Sequence, residues 1–105
     1  MKIALTSQNR KTVTEHAGSC RKFWVFTIED NRITDRELLE LPKEQAFRAS
    51  PPHMPHPLDG IDVFMTAGMG QGLIMRLASK GIKGVITSEE DPEQAVTLYL
   101  QESHH

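Results

Sequence analysis

Cysteine is all but absent from this 105-residue chain: Cys20 stands alone. A single thiol excludes an internal disulfide and leaves Cys20 as a small buried apolar group, an incidental thiol, a metal ligand or a reactive thiolate. A surplus of basic charge is missing too. Twelve lysines and arginines face fourteen aspartates and glutamates, a formal net charge of -2, so the electrostatic footprint of a general nucleic-acid binder is lacking. No window approaches the roughly 20 apolar residues of a membrane span, and the apolar part of "MKIALTSQNRK" is too short for a secretory leader. The expectation is a cytoplasmic protein with no nucleic-acid or membrane partner. Its length suits a single domain over residues 1–105 with one modest core.

Several catalytic signatures are also missing. The nucleophile elbow G-x-S-x-G does not occur. The first strand, "KIALT", has none of the carboxylates that a two-metal nuclease of the ribonuclease H type requires. Glu89, Glu90 and Asp91 fall at a turn and a helix start, where capping is their expected use. The chain is therefore expected not to be an enzyme.

What is present is a succession of strand and helix signals. "KIALT" (2–6) reads as a short strand, followed by the polar loop "SQNRKTVTEHAGSC" (7–20). "KFWVFTIE" (22–29) places Phe23, Val25 and Thr27 on one face and Trp24, Phe26 and Ile28 on the other; with both faces apolar, this is an interior strand covered on both sides. Asp30 and Asn31 turn the chain into "RITDRELLEL" (32–41). Thr34 and Glu37 would also make a helical capping box there, but Pro42 ends a helix early and the hairpin needs a partner, which favours a strand.

Prolines at 42, 51, 52, 55 and 57 exclude regular structure over "SPPHMPHP" (50–57) and predict a stiff, partly extended loop. "GIDVFMTAG" (60–68) returns to strand. "QGLIMRLASKG" (71–81) sets Leu73, Ile74, Leu77 and Ala78 at helical spacing with Gly81 as the stop. "KGVIT" (83–87) is a further strand, and Asp91, Pro92 and Gln94 supply the N-cap, first residue and capping box of a last helix over 92–101, expected to bury Ala95, Val96, Tyr99 and Leu100. The closing strand, helix and strand require a parallel pair, so the fold class is α/β with a mixed sheet.

Candidate chemistry gathers at "TAGMGQG" (66–72), where a strand ends and a helix begins. The free N–H groups and positive dipole end of a helix suit an anion there. Gly68, Gly70 and Gly72 would let a ligand approach the backbone closely, and Met69 could offer a thioether. The competing reading is that the glycines only permit a tight turn. Neither G-x-G-x-x-G nor a P-loop is present, which disfavours dinucleotides and ATP.

Soft or borderline metal ligands lie in the predicted loops: His16, Cys20, His53, Met54 and His56, besides Met69. Their spacings, H-x3-C and H-x2-H, match no zinc finger and no H-E-x-x-H helix. Each histidine also reads as a solvated loop side chain, and Cys20 as a cap on the strand at 23–28; the terminal His104 and His105 carry less weight still. Topology favours function, because ligands in open α/β sheets bind beyond the carboxyl ends of strands, where Gly68 to Gly72 belong and toward which the first strand leads the loop bearing His16. The candidate metal ligands are thus His16, Cys20, His53 and His56, and the candidate cofactor contacts are Gly68, Met69, Gly70, Gly72, His16 and Cys20.

The segments "MKIALTS", "EHAGSCRKFWVFTIEDNRI", "HPLDGIDVFMTAGMGQGLIMRLASKGIKGVIT" and "DPEQAVTLYL" together resemble the dinitrogenase iron-molybdenum cofactor biosynthesis family, over nearly the whole chain. The resemblance implies a ribonuclease H-like fold without nuclease residues, a five-stranded mixed sheet flanked by helices, and binding of a metal–sulfur cluster containing iron, molybdenum or both. It also implies a carrier role in cofactor assembly, with an assembly or acceptor protein as partner. Family members often read H-F-G where this chain has His16-Ala17-Gly18, and a longer helix where it has "SPPHMPHPLDG". Glycine amides would stabilise the cluster's sulfides while His, Cys or Met supplies one or two metal bonds, and few protein ligands favour release. Two other classes are a metal-independent interaction or regulatory module that uses the proline-rich loop, and an enzyme acting on a small anion at the glycine turn, for which His16 is the sole evident base.

Overall fold

Strand β1 (Lys2–Thr6) is buried from its second residue onward and runs down the centre of a five-stranded sheet. Strands β2 (Lys22–Glu29), β3 (Arg32–Glu40), β4 (Val63–Thr66) and β5 (Lys83–Ile86) complete it in the order β3-β2-β1-β4-β5. β1 pairs antiparallel with β2 and parallel with β4; β5 extends the parallel half, and β3 the antiparallel half. This mixed α/β order is compatible with the ribonuclease H-like label. The computed structural model describes residues 1–52 and 54–102, so the expectations for His53, His104 and His105 lie outside the described residues.

The alternation of β2 separates two cores as its pattern requires. Phe23 and Val25 join Phe64 and Leu77 on one face, whereas Phe26 and Ile28 join Ile3, Val96 and Leu100 on the other. Residues 32–40 form a strand, not a capped helix, because β2 offers a free edge and Trp24 and Phe23 find Leu38 and Leu39 opposite. Asp30 and Asn31, with φ of 50° and 63°, close that hairpin in the left-handed region.

Helix α1 (Gln71–Ser79) covers the first core and ends where Gly81 takes φ 76°. It buries Leu77 and half-buries Leu73 and Ile74; Ala78, at the same helical spacing, is exposed. Helix α2 (Pro92–Glu102) covers the second core with Ala95, Val96 and Leu100, while Tyr99 is only partly buried. The Asp91 carboxylate accepts the Gln94 amide at 2.8 Å, the expected N-cap. Among the described residues no helix is long and apolar enough to cross a membrane.

The proline-rich connection contains two short 3-10 turns, Lys43–Gln45 and Phe47–Ala49, that no period in the sequence announces. They deliver Phe47 edge-on to Phe23 and Phe64, with ring centroids 6.4 and 5.4 Å away. The next helix pins this segment: Arg76 donates to the carbonyls of Phe47 (2.6 Å) and Ser50 (3.0 Å), and Lys80 to the Asp59 carboxylate and the Met54 carbonyl. Truncating Phe64, fully buried beneath these rings, is expected to cost about 3–5 kcal/mol, read from urea unfolding of Phe64→Ala; a loss under about 1 kcal/mol would contradict this account of the core.

Candidate functional site

The carboxyl ends of β1, β4 and β5 lie side by side. The loops that leave them enclose a cleft of about 870 Å3, lined by residues 13–16, Ala67 and residues 86–90. Its floor is a buried polar cluster. The hydroxyls of Thr6 and Thr66, which end β1 and β4, lie 2.8 Å apart and each reaches the Thr14 carbonyl, at 2.7 and 3.0 Å. That carbonyl also accepts the Ala67 amide, and the Thr6 carbonyl accepts the Thr14 amide. The first loop is thereby folded back over the strand ends.

Further main-chain bonds fasten it there. Val13 donates to the Glu90 carbonyl at 2.8 Å, and Ala17 to the Gly68 carbonyl at 3.2 Å. His16 lies between these fastenings with φ 57°, an uncommon conformation for a residue with a side chain. Its carbonyl accepts the amides of Ser19 and Cys20, whereas its exposed imidazole has no hydrogen-bond partner among the described residues. Glu15, Glu89 and Glu90 also line the cleft, and no lysine or arginine does.

Beside this loop runs the glycine turn. Gly70 is the N-cap of α1, with no side chain to cap it. Among the described residues, the amides of Met69, Gly70, Gln71, Gly72 and Leu73 have no protein acceptor, whereas Gly68 donates to the Thr66 hydroxyl. The start of any helix leaves four amides unpaired, here Gly70 to Leu73; Met69 extends the run by one residue. None of the three glycines has a positive φ, and a Cβ at Gly70 or Gly72 would meet nothing within 4 Å. Neither backbone conformation nor internal packing demands glycine at these two positions, so the tight-turn reading does not account for them.

The sequence profile of the family described as Dinitrogenase iron-molybdenum cofactor matches residues 1–102. The chain belongs to that family. Solved structures share its fold. The crystal structure of PH0822 has 21% identity and a TM-score of 0.76, covering 97% of this chain and 92% of that one. Protein mj0327 of Methanocaldococcus jannaschii, provisionally described as a dinitrogenase, has 12% identity, a TM-score of 0.71 and coverages of 97% and 89%. A Thermotoga protein provisionally described as NifB has 16% identity, a TM-score of 0.62 and coverages of 96% and 87%. No curated protein matches the sequence.

For this member of the family, the remaining candidate ligands have other uses. Cys20 is buried in the first core, and its thiol donates to the Lys22 carbonyl at 3.1 Å, a cap at the start of β2. Met69 turns its thioether against β5, where its terminal methyl fills the space a Cβ on Gly84 would take, 2.7 Å away. His56 is buried and stacked on Phe47 at 4.4 Å. One ring nitrogen donates to the Gln45 carbonyl (2.7 Å) and the other accepts the Leu58 amide (3.1 Å), so no lone pair is left for a metal. Among the described residues, no three His, Cys, Asp or Glu side chains are placed to share a metal ion. The bond from Ala17 to Gly68 therefore brings the loop that bears His16 to the glycine turn, whereas Cys20 and His56 are committed to other partners. Sequence reasoning missed Thr6, Thr14 and Thr66; the one available signal was that "KIALT" and "VFMT" both end in threonine.

Two outcomes follow from this geometry. Thr66→Val removes a buried hydroxyl that serves Thr6, Thr14 and Gly68; it should cost about 1–3 kcal/mol in denaturant unfolding, more than its similar volume suggests. For His56, burial is the main force lowering its pKa, helped by the charges of Arg76 and Lys80 against the Gln45 carbonyl and Asp59. The unfolded chain takes up this proton near pH 6.5, and the folded chain only at lower pH. Stability should therefore fall as pH drops through about 6.5 and level off once folded His56 is protonated too. Unfolding free energies measured across this range should show the fall in the wild type and a flatter profile in His56→Gln; identical profiles would remove His56 as the cause.

Proposed function

We propose that this protein binds a metal–sulfur cofactor of the iron–molybdenum type, or a precursor of one, and carries it during cofactor assembly without catalysing a reaction of its own. The observation that carries this reading is the run of amides from Met69 to Leu73 with no protein acceptor among the described residues, clear of side chains at Gly70 and Gly72 and adjacent to Gly68, whose carbonyl holds the loop that bears the exposed His16. Such amides suit the sulfides of an anionic cluster, with the positive end of α1 adding to them. The His16 imidazole offers one bond to a borderline metal. Cys20 and Met69 stand outside this ligand set, because the thiol is engaged by Lys22 and the thioether is packed on Gly84. A single metal bond plus neutral hydrogen bonds would hold a cargo without trapping it.

The test is anaerobic uptake by untagged protein, offered tetrathiomolybdate and iron sulfide in turn, with bound metal, sulfide and the visible charge-transfer band as readouts. Wild type should take up the cluster, His16→Ala should lose most of it, and Cys20→Ala should keep it. Gly72→Ala is the sharper variant. Alanine within α1 should stabilise the helix by up to about 1 kcal/mol, yet its methyl would intrude where the cluster meets the backbone, so stability should rise while uptake falls. Uptake unchanged in both His16→Ala and Gly72→Ala would sink this site. A protein that takes up no metal under any condition would favour the metal-independent interaction module, for which the proline-rich segment pinned by Arg76 and Lys80 offers a rigid surface.

A further inference from the structure

The cleft at the strand ends has the wrong sign for an anionic cargo. Its charged walls are the carboxylates of Glu15, Glu89 and Glu90, and like charge repels at this range. A second groove, of about 610 Å3, is lined by Arg21, Lys43 and Arg48 together with Ser19, Ala46 and Ala49, with no carboxylate in its wall. The side chains of Lys43 and Arg48 are exposed and make no ion pair or hydrogen bond among the described residues. Arg21 uses its Nε only to reach the Leu41 carbonyl. In a chain with more acids than bases, uncompensated cations around one concavity make a local positive field.

Arg48 joins this groove to the glycine turn. It also lines a smaller adjoining groove, of about 260 Å3, whose wall includes Gly18 and Gly72. Its amide donates to the Gly18 carbonyl at 2.7 Å, which fixes its position beside the loop that bears His16. We propose that this cationic groove is the side of the site that recruits and holds the anion, a multiply charged thiometallate, with Arg48 at its junction with the glycine turn and Arg21 and Lys43 extending the field outward. The proposal rests on the carrier reading for the identity of the anion. The acidic cleft, which His16 also lines, disfavours approach of the anion from that side.

The experiment is an anaerobic titration followed by backbone amide NMR shifts, with tetrathiomolybdate as one probe and sulfate as a plain dianion for comparison. It is run at low and high salt on wild type, on Lys43→Glu/Arg48→Glu, and on a control of equal charge change, Lys11→Glu/Arg32→Glu. Tetrathiomolybdate should shift Gly18, Arg21, Arg48 and Gly72. The groove double variant should weaken its binding on the order of tenfold at low salt and flatten the salt dependence, with the control within about twofold of wild type. Binding that shifts only residues 13–16 and 86–90, or that survives the groove charge reversal, would overturn the groove while leaving the carrier reading intact. A groove that responds equally to sulfate and to tetrathiomolybdate would support the anion site and count against the carrier reading. A groove indifferent to both anions would overturn the proposal.

Discussion

The site depends on one buried contact, the pair of threonine hydroxyls at the ends of β1 and β4. Neither side chain has any exposure to solvent, so each hydroxyl must find its partners inside the protein or bear the cost of an unmade hydrogen bond. They find them in each other and in the Thr14 carbonyl, eight residues along from Thr6. That requirement draws the first loop back across the strand ends instead of letting it run out into solvent. Once Thr14 is fixed, Ala67 can donate to it, Ala17 reaches Gly68, and His16 is set between the two connections in its left-handed conformation. Main-chain bonds accomplish the rest, so the placement of His16 does not rely on the packing of its own ring.

Most of the fold was legible in the sequence, because period and punctuation agreed locally. Alternation in "KFWVFTIE" assigned each residue to the core it occupies, and Asp91, Pro92 and Gln94 marked the start of α2 correctly. The choice between strand and helix at residues 32–40 was settled by a non-local argument, the need of β2 for a partner. The glycine turn and its proximity to the His16 loop also followed from topology, since both leave the carboxyl ends of parallel strands. Where the reading stopped was the segment rich in proline. Its short turns carry no period, so nothing announced that Phe47 would enter the core or that the Gln45 carbonyl would engage His56. Without those partners, His56 could only be classed by residue type, and a histidine in a loop reads alike whether it ligates a metal or fills a core. Cys20 was ambiguous for the same reason, its thiol being committed to a carbonyl only two residues away.

Helix α1 joins what is stable to what is open. Its C-terminal half anchors the proline-rich segment through Arg76 and Lys80, and Leu77 is buried against the sheet. The Lys80 contact also acts on the titration of Asp59. Burial works against ionisation of Asp59, but the Lys80 ammonium and the His56 amide outweigh it and hold that carboxyl below its ordinary range. The N-terminal half, in contrast, starts at an uncapped glycine with a run of amides left to solvent. A helix held firmly at one end can leave its other end unsatisfied, since its position no longer depends on a cap.

The same arrangement limits how tightly a cargo could be held. Amides open to water are already hydrogen-bonded, so a cluster gains only the difference between sulfide and water as acceptor, together with the favourable end of the helix dipole. Hydrogen bonds of this kind contribute about 1 kcal/mol each, and a lone imidazole adds a single metal bond. A site of several buried thiolates would bind far more strongly and would also have to be dismantled before the cargo could leave. For a carrier, occupancy set by a few modest contacts and one charged groove means that an acceptor has only to offer better ligands to the same metal. The threonine pair and the anchored half of α1 hold the glycine turn open to solvent, the geometry that the carrier proposal requires.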